Sequence, residues 1–310
     1  MLKGLGIAVV VPAHNEEVLI SKVISTMPDF VDHIVIVDDA STDGTRAAAL
    51  SAADARTEVI THDVNQGVGG AIITGHRRAI ELGADVSAVM AGDAQMDPDY
   101  LESLLEPITD RGYGFTKANR FFSSDSFRDM PKTRIFGNVV LSFLTKLASG
   151  YWNIFDPQNG YTAVRTDVLQ RLDLDRIAKT YEFENDLLIN LNILDIHATD
   201  VPIPAVYGDE VSGIRLRRVV PAITFLLVKG FWRRVMQKYV IRSFSPVALF
   251  LFSGLALLTW SVLFGIWVLV NTLGEKTASA GTVILWVAPF LIGVQLLISA
   301  LTLDIQNSPD

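Results

Sequence analysis

The sequence predicts an α/β domain with a largely parallel sheet, followed by a two-helix membrane hairpin. Two observations lead to this fold class. In the first half of the chain, short apolar runs alternate with helical patterns, and in the last quarter two long stretches carry no charge. Alternating strands and helices are typical of right-handed βαβ units, which build parallel sheets.

The apolar runs of the first half define four strands with helices between them. In a parallel sheet, ligands bind beyond the carboxyl ends of the strands, where the strand order reverses. Polar residues that directly follow these strands are therefore the first candidates for a site. The predicted strands are Ile7–Val11, Ile34–Val37, Val59–Thr61 and Val86–Met90, and the predicted helices include Glu17–Met27, Thr45–Ala53 and Val68–Leu82.

The hairpin is predicted from length. Pro246 to Val270 gives 25 residues without a charge and Thr277 to Leu303 gives 27, whereas roughly 20 residues cross a bilayer as a helix. A mean hydropathy of +0.34 with 19% charged residues agrees with lipid-facing apolar surface. We expect transmembrane helices at about 246–270 and 278–303; a buried helical hairpin is the alternative.

Charge distribution predicts the topology. Residues 212–243 carry eight cations and no acid, whereas the connection 271–277 carries only Glu275 and Lys276, which cancel. The positive-inside bias places the N-terminal domain and both termini in the cytoplasm. Because aromatic and basic residues interleave over 212–243, we expect interfacial helices there. The predicted organisation is thus a domain at 1–211, a juxtamembrane segment at 212–243 and the hairpin at 244–310.

The basic segment contrasts with the rest of the chain. The net charge is −8, and outside that segment 18 cations face 34 acids. The segment is suited to anionic head groups or to a phosphate ligand, or it signals topology alone. The absence of cysteine excludes disulfides and thiolate metal sites, which leaves carboxylates and amides as metal ligands.

Two acids end the second predicted strand. Asp38 and Asp39 follow an Ile-Val-Ile-Val run, where a carboxylate can accept hydrogen bonds from a ribose or a base. The alternative is turn chemistry, because Ser41, Thr42 and Asp43 suit a turn and a helix cap. We assign those three residues to the turn and favour a binding role for Asp39.

Asp93 and Gln95 follow the fourth predicted strand. Their spacing lets both oxygens approach one Mg²⁺ or Mn²⁺, which would also accept substrate phosphates and water. The alternative is that Asp97 and Pro98 start the next helix and Asp93 only shapes the turn.

Further candidates lie along the chain. Arg120 and Arg134 are suited to clamp a phosphate, although surface ion pairs are the commoner role. Glu184 and Asp186 belong to a strand face or a helix start and are candidates for a general base. The glycine-rich segment 65–71 could present amides to a phosphate, but its spacing does not fit a dinucleotide signature, and we favour close packing.

Together these motifs resemble family 2 glycosyltransferases, and within them the polyprenyl-phosphate branch that includes dolichol-phosphate mannose synthases. The resemblance covers about residues 6–215 and rests on three segments in order: Pro12–Glu16, Val37–Thr45 and Asp93–Gln95. It implies a GT-A fold with Asp93 and Gln95 on a metal. The residues that it implies for nucleotide binding are Pro12, Ala13, Glu16, Val37, Asp39 and Asp93.

The resemblance also implies an acceptor site. Arg120, in Asn119-Arg120-Phe121, matches an arginine near the phosphates, and Arg134 with Asn138 matches a pair that grips a lipid phosphate. Two departures are present. Ala91 replaces the first acid of the Asp-x-Asp-x-Gln pattern, and Ala205 replaces an arginine, for which Arg215 or Arg217 are candidate substitutes.

The function implied is a metal-dependent, inverting hexosyl transfer from a UDP- or GDP-sugar to a polyprenyl phosphate at the cytoplasmic membrane face, in cell-envelope synthesis. A phosphate acceptor is mostly dianionic at neutral pH and needs no general base. The alternatives are a hydroxyl acceptor with Glu184 or Asp186 as base, and a non-catalytic nucleotide-binding membrane protein. Expected partners are the donor, the lipid acceptor and the bilayer, without nucleic acid; a homo-oligomer is left open.

Overall fold

The computed structural model describes residues 1–122, 132–204, 216–272 and 277–309. Within two helices, the side chains of 132–136, 138 and 216–220 also lie outside the described part. The described chain forms two compact units. The first comprises Met1–Phe231 together with Pro309, and the second is Trp232–Ser308.

The first unit is built on a seven-stranded sheet. Its strands lie in the order β3-β2-β1-β4-β6-β5-β7, and all except β6 run in the same direction. The predicted mostly parallel sheet is therefore confirmed. The strands are β1 (Ile7–Ala13), β2 (His33–Asp38), β3 (Thr57–Thr61), β4 (Val86–Val89), β5 (Phe115–Asn119), β6 (Thr162–Arg165) and β7 (Ala198–Pro202).

Helices connect these strands. The predicted helix Glu17–Met27 is shorter in the structure, because the amides of Glu16 and Glu17 donate to Thr45 Oγ1 and Asp43 Oδ2 in a loop that precedes the helix. The helices of this unit are α1 (Ile20–Ser25), α2 (Thr45–Ala52), α3 (Val68–Glu81), α4 (Leu101–Arg111), α5 (Lys132–Ser149), α6 (Thr166–Arg171), α7 (Phe183–Ile193) and α8 (Leu216–Arg234).

Both faces of the sheet are covered. Alternate residues of β1 point to opposite faces: Val9 and Val11 belong to a core with α1 and α4, whereas Val10 lies under α3. On the α3 face, Ile72 and Ile73 pack with residues of α6 and α7. Burial on two sides explains why the strands are continuous apolar runs.

The glycines of α3 allow the helix to approach its neighbours closely. A Cβ on Gly75 would collide with the side chain of Val10 on β1. A Cβ on Gly69 would lie 2.7 Å from Phe183 Cβ and 2.9 Å from the carbonyl oxygen of Ala178. The close-packing interpretation of this segment therefore agrees with the structure.

Charged side chains lie in the middle of β5 and β7. Lys117 on β5 is fully buried, and its ammonium donates to the carbonyl oxygen of Asn159. Asp200 on β7 accepts a hydrogen bond from the amide of Phe155, while its Oδ1 has no partner among the described residues. Burial raises the pKa of the Asp200 carboxyl to about 6.

The second unit contains two long apolar helices, α9 (Pro246–Thr272) and α10 (Ala280–Gln306), both long and apolar enough to cross a membrane. They pack against each other in opposite directions. Gly254 lies against the backbone of Gly293, and Ser261 Oγ donates to the carbonyl oxygen of Trp286 over 2.9 Å. The predicted pair of apolar helices is confirmed.

A buried ion pair joins the two ends of this unit. Arg234 precedes a π-helical segment, Val235–Ile241, and donates two hydrogen bonds of 2.6 and 3.0 Å to the carboxylate of Asp304 on α10. The hydroxyl of Tyr239 donates to the same carboxylate over 2.5 Å. Removing one partner of such a buried pair leaves an uncompensated charge.

Close packing at Gly69 predicts a stability effect. Gly69→Ala should lower the free energy of unfolding by about 1–3 kcal/mol, because the added methyl must displace the turn before α7. The matched control is Gly137→Ala in α5, where a Cβ meets no atom within 4 Å; that change should stabilise by up to about 1 kcal/mol through helix propensity. Denaturant unfolding of both variants in detergent measures the difference, and equal effects would contradict the packing argument.

The pKa of Asp200 predicts a pH-dependent stability. The native pKa of Asp200, about 6, lies above the unfolded value. The protonated Asp200 carboxyl therefore contributes its full stabilisation of the native state below about pH 4, and this contribution is lost as the pH rises through 6. A two-unit shift corresponds to about 3 kcal/mol. Asp200→Asn should remove this dependence, so the stability of the variant relative to the parent should rise between pH 4 and pH 7. A difference independent of pH would count against this assignment.

Candidate functional site

The candidate residues converge at one edge of the sheet. Because β1, β2, β4 and β5 run in the same direction, the polar residues that follow them share the carboxyl edge. The ends of β1 and β4 are in contact, since a Cβ on Gly92 would lie 3.3 Å from the carbonyl oxygen of Pro12 and 3.4 Å from Glu16 Cγ. The sheet order reverses between these two strands, which is where such sheets bind ligands.

The loops after β1 and β2 are joined by hydrogen bonds. His14 Nδ1 lies 2.9 Å from the carbonyl oxygen of Asp39, and Asn15 Oδ1 accepts from the amide of Thr42 over 2.8 Å. Asn15 has a φ of +61°, a conformation that asparagine tolerates better than most residues. These contacts hold Ala13 and Glu16 beside the end of β2, where Val37 and Asp39 lie.

Asp39 is the most connected acid of the site. Its buried carboxylate accepts from His62 Nδ1 at 2.7 Å and from the amides of Gln66 and Gly67, both at 2.8 Å. His62 Nε2 in turn lies 3.0 Å from Thr74 Oγ1 on α3. Asp39 therefore anchors the glycine-rich segment in addition to any contact with a ligand.

The sequence interpretation did not pair His62 with Asp39. His62 follows β3, and Asp39 follows β2, and the two strands pair in a register that brings Asp38 beside Thr61. The pairing of His62 with Asp39 could have been predicted from their equivalent positions after neighbouring parallel strands. The amides of Gln66 and Gly67 are occupied by this carboxylate, which leaves close packing as the role that the structure supports for the segment.

The remaining polar residues after β2 form the turn. Asp38 Oδ1 accepts from the amide of Ser41 at 3.1 Å, and Asp43 Oδ1 accepts from the amide of Thr45 at 3.0 Å. Ala40 between them has a φ of +56°. The turn assignment of Ser41 and Asp43 agrees with these contacts.

Asp93 and Gln95 lie in one tight turn after β4. Asp93 Oδ1 accepts from the amide of Gln95 at 3.0 Å, and Ala94 has a φ of +55°. Asp97 caps the following turn by accepting from the amide of Asp99. Asp93 thus shapes the turn with one oxygen, while its Oδ2 has no hydrogen bond within the described part of the chain. Both interpretations of Asp93 are compatible with this geometry.

The donor set suits a metal ion that a substrate brings with it. Among the described residues, no group of three His, Cys, Asp or Glu side chains gathers as a metal cage. Asp93 supplies one carboxylate and Gln95 one amide, and Ala91 supplies no ligand. Mg²⁺ and Mn²⁺ accept such a sparse protein contribution when phosphate oxygens and water complete the octahedron.

Arg120 is held by a buried acid. Its Nε and Nη2 donate to the two oxygens of Asp156, at 2.7 and 3.1 Å, and its amide donates to the same carboxylate at 3.2 Å. Asp156 is fully buried, whereas about a third of the Arg120 side chain is exposed. The fork geometry fixes the guanidinium plane at the sheet edge, which pre-orients it for an anion. Arg134 and Asn138 belong to α5, but their side chains lie outside the described residues.

The two candidate bases differ in environment. Both start α7 rather than a strand. Asp186 Oδ2 accepts from the amide of Ala178 at 3.0 Å, so Asp186 is a structural anchor. Glu184 Oε1 lies 3.7 Å from the position of a Cβ on Gly160, which also meets Met96 of the metal-candidate loop. Burial raises the pKa of Glu184, and the nearby ammonium of Lys117 opposes that shift.

A small cavity of about 30 Å³ adjoins Arg120 and is lined also by Phe121, Ser142, Asp156 and Gln158. Gln158 donates to Asn185 Oδ1 at 3.1 Å, and Thr145 donates to the same oxygen at 3.0 Å. This network connects α5 and α7 to the turn before β6. The residues of the network were not singled out from the sequence, because their proximity depends on how α5 packs on α7.

Comparison with known proteins identifies the family. The sequence model of glycosyl transferase family 2 matches residues 8–173, more than half of the chain. The UDP-N-acetylglucosamine–dolichyl-phosphate N-acetylglucosaminyltransferase of Methanococcus voltae is 32% identical over 66% of this chain and 86% of that protein. The undecaprenyl-phosphate mannosyltransferase of Micrococcus luteus is 31% identical over 63% of this chain and 81% of its own length.

A solved structure supports the fold. Glucosyl-3-phosphoglycerate synthase from Mycobacterium tuberculosis, determined with Mn²⁺, UDP and glucosyl-3-phosphoglycerate, superposes with a TM-score of 0.55 at 21% identity, covering 74% of this chain and 80% of that one. The GT-A fold implied by the sequence motifs is confirmed. Because the family match spans β1 to α6 and includes all three strand-end motifs, the chain belongs to glycosyl transferase family 2.

Proposed function

We propose that this protein transfers a sugar from a nucleotide sugar to a polyprenyl phosphate at the cytoplasmic face of a membrane. The observation that carries the proposal is the arrangement at one sheet edge, where the motif after β1 lies against the loop that carries Asp93 and against the motif after β2, and where an arginine held by a buried acid follows β5. Two relatives named for lipid-phosphate acceptors support the acceptor class.

On this proposal, each strand end has one task. Pro12, Ala13, Glu16, Val37 and Asp39 surround the nucleoside, while Asp93 and Gln95 hold Mg²⁺ or Mn²⁺ on the diphosphate. When bound there, the cation would neutralise negative charge on the leaving group. Asp39 reaches the nucleoside only through the side that its contacts to His62 and the segment 66–67 leave open.

The reaction is a single inverting displacement. An oxygen of the acceptor phosphate forms a bond to the anomeric carbon, and the bond from that carbon to the nucleotide diphosphate breaks with its electron pair on the departing oxygen. Arg120, with Arg134 and Asn138, screens the repulsion between the two anions, which is strong in a site with few waters. The phosphate needs no deprotonation, so Glu184 has no proton to remove.

The membrane setting follows from the C-terminal unit. We propose that α9 and α10 cross the bilayer and that the basic residues before Pro246 remain at the cytoplasmic surface. An acceptor with a long isoprenoid chain stays in the bilayer, so the enzyme that glycosylates its phosphate must work at that surface.

A second candidate function, transfer to a hydroxyl group, is supported by Glu184. Its Oε1 lies beside Gly160, which also adjoins Met96 of the loop after β4, and burial raises the pKa of Glu184, as expected of a general base.

The donor and acceptor can be identified directly. Membranes that contain the protein are incubated with radiolabelled UDP- and GDP-sugars and short polyprenyl phosphates, and the labelled lipid is extracted. The expected product is an acid-labile glycosyl phosphate lipid from one nucleotide series. A label that appears only in lipid or polysaccharide hydroxyls would contradict the proposed acceptor.

Replacing Asp93 tests the metal and the enzyme assignment together. Asp93→Asn should lower metal-dependent turnover by ~100-fold or more, because a metal on the leaving group supplies several kcal/mol and each 1.36 kcal/mol is about tenfold in rate. The matched control is Asp97→Asn four residues on, since asparagine caps a turn as well as aspartate does and turnover should persist. Binding of nucleotide without turnover in the parent protein would indicate a non-catalytic protein.

Replacing Glu184 separates the two acceptor classes. With a phosphate acceptor, Glu184→Gln should change kcat by less than about tenfold, whereas loss of a general base costs roughly 10²–10⁴-fold. Asp186→Asn serves as the structural comparison, since it should lower the melting temperature: the carboxylate accepts from both the Ala178 amide and Asn190 Nδ2, whereas an asparagine offers one acceptor oxygen for these two donors. A large loss of kcat in Glu184→Gln with an unchanged melting temperature would favour the hydroxyl acceptor.

A further inference from the structure

We infer that α5 seats the catalytic unit on the membrane surface through an exposed apolar stripe formed by Val139, Val140 and Phe143. This inference deepens the proposed function and rests on it in one respect, namely that the acceptor is a lipid.

The stripe is a second apolar face on a helix that already has one. Leu141, Leu144 and Ala148 pack with Ile189 of α7 and Ile223 of α8 in a small core. On the opposite side, Val139 is 57% exposed and Phe143 is 52% exposed. A helix in water normally shows polar residues on the face away from its core, so this second face needs another apolar environment.

The apolar surface continues beyond α5. The ring of Phe143 contacts that of Trp152 edge-on, with centroids 6.3 Å apart. The ammonium of Lys146, one turn after Phe143, lies 3.8 Å from the ring centroid of Phe155, and Phe155 itself is 58% exposed. Aromatic rings beside a lysine whose stem lies along apolar surface are typical of residues at a lipid–water interface.

Charge favours a lipid surface over a protein partner as the occupant. From residue 130 to 155 the chain carries Lys132, Arg134 and Lys146 and no acid, in a protein of net charge −8. Anionic head groups attract such a segment by about 1 kcal/mol per cation near the surface. Sequences of helices that lie in the interface combine apolar residues with an excess of basic over acidic residues.

The stripe places the site at the depth of the lipid head groups. Ser142 lines the small cavity beside Arg120. In sequence it stands between Leu141, which packs on the buried face, and Phe143, which belongs to the exposed face. At 100° per residue, Ser142 projects from the flank of the helix rather than from its lipid-facing side. With the stripe inserted about 5–10 Å into the head-group boundary, a lipid phosphate would meet Arg120 without leaving the bilayer surface.

Site-specific labelling tests the seat without measuring activity. The chain has no cysteine, so Val140→Cys and Phe143→Cys each accept one environment-sensitive fluorophore. Leu50→Cys on α2 is the matched control, because Leu50 is 53% exposed and Phe143 is 52% exposed. The full chain is reconstituted in vesicles of phosphatidylcholine and phosphatidylglycerol, with or without doxyl-labelled phosphatidylcholine.

Labels on the stripe should be quenched on the order of threefold by doxyl lipid while the label at position 50 is not, because the stripe lies within the acyl boundary. Equal quenching at all positions would overturn the inference, as would self-quenching on the stripe that depends on the protein-to-lipid ratio and indicates a second copy. Using both positions guards against a variant that misfolds. If the stripe labels are quenched but no glycosyl transfer is detected, the proposed function is wrong and the membrane contact of α5 stands. If transfer is detected without quenching, the membrane contact of α5 is wrong and the proposed function stands.

Discussion

The common direction of the strands is the constraint on which the rest of this structure depends. Because only β6 runs against the others, the residues that follow β1, β2, β4 and β5 meet at one edge. Four loops that are distant in sequence therefore share one surface. The hydrogen bonds of Asn15, Asp39 and Glu16 then fix the loops after β1, β2 and β3 relative to one another.

Buried acids hold the working groups in place. Asp39 fixes the glycine-rich segment, and Asp156 fixes Arg120 through a bidentate contact. In both cases a carboxylate without access to water is satisfied by several donors, as burial of a charge requires. Lys117 holds the turn at residues 156–160 from below by donating to the carbonyl oxygen of Asn159. These groups are thus held in place without a ligand, which lowers the entropic cost of ordering them when a ligand binds.

The sequence predicts the parts of the fold that depend on local pattern. Local runs of residues predict the first four strands, the helices α2 and α3 and the apolar pair α9 and α10, because the pattern of each run matches the element that it forms. The helix α1 was predicted but not its shortness, because its first turn is replaced by contacts to Asp43 and Thr45. A helical pattern cannot reveal a competing partner 26 or more residues away.

The site was predictable to the same extent. Asp39 and Asp93 follow predicted strands, so position identified them, whereas Arg120 was identified by its side-chain chemistry and by the family motif. The partner of Asp39 is His62, and the partner of Arg120 is Asp156. Predicting these contacts would require the register of β2 with β3 and the path of the chain between β5 and β6. The role of Asp186 as an anchor depends on the turn that precedes α7. Pairing across strands is a tertiary property, and only the coordinates give it.

The contact between Arg234 and Asp304 has a consequence for biosynthesis. The arginine precedes the first long apolar helix and the aspartate ends the second, so a hairpin closed by this pair has both ends on one side of any bilayer that it enters. Arg234 leaves the ribosome about seventy residues before its partner. The buried pair can form only after Asp304 has been synthesised, so the last turn of α10 closes the hairpin.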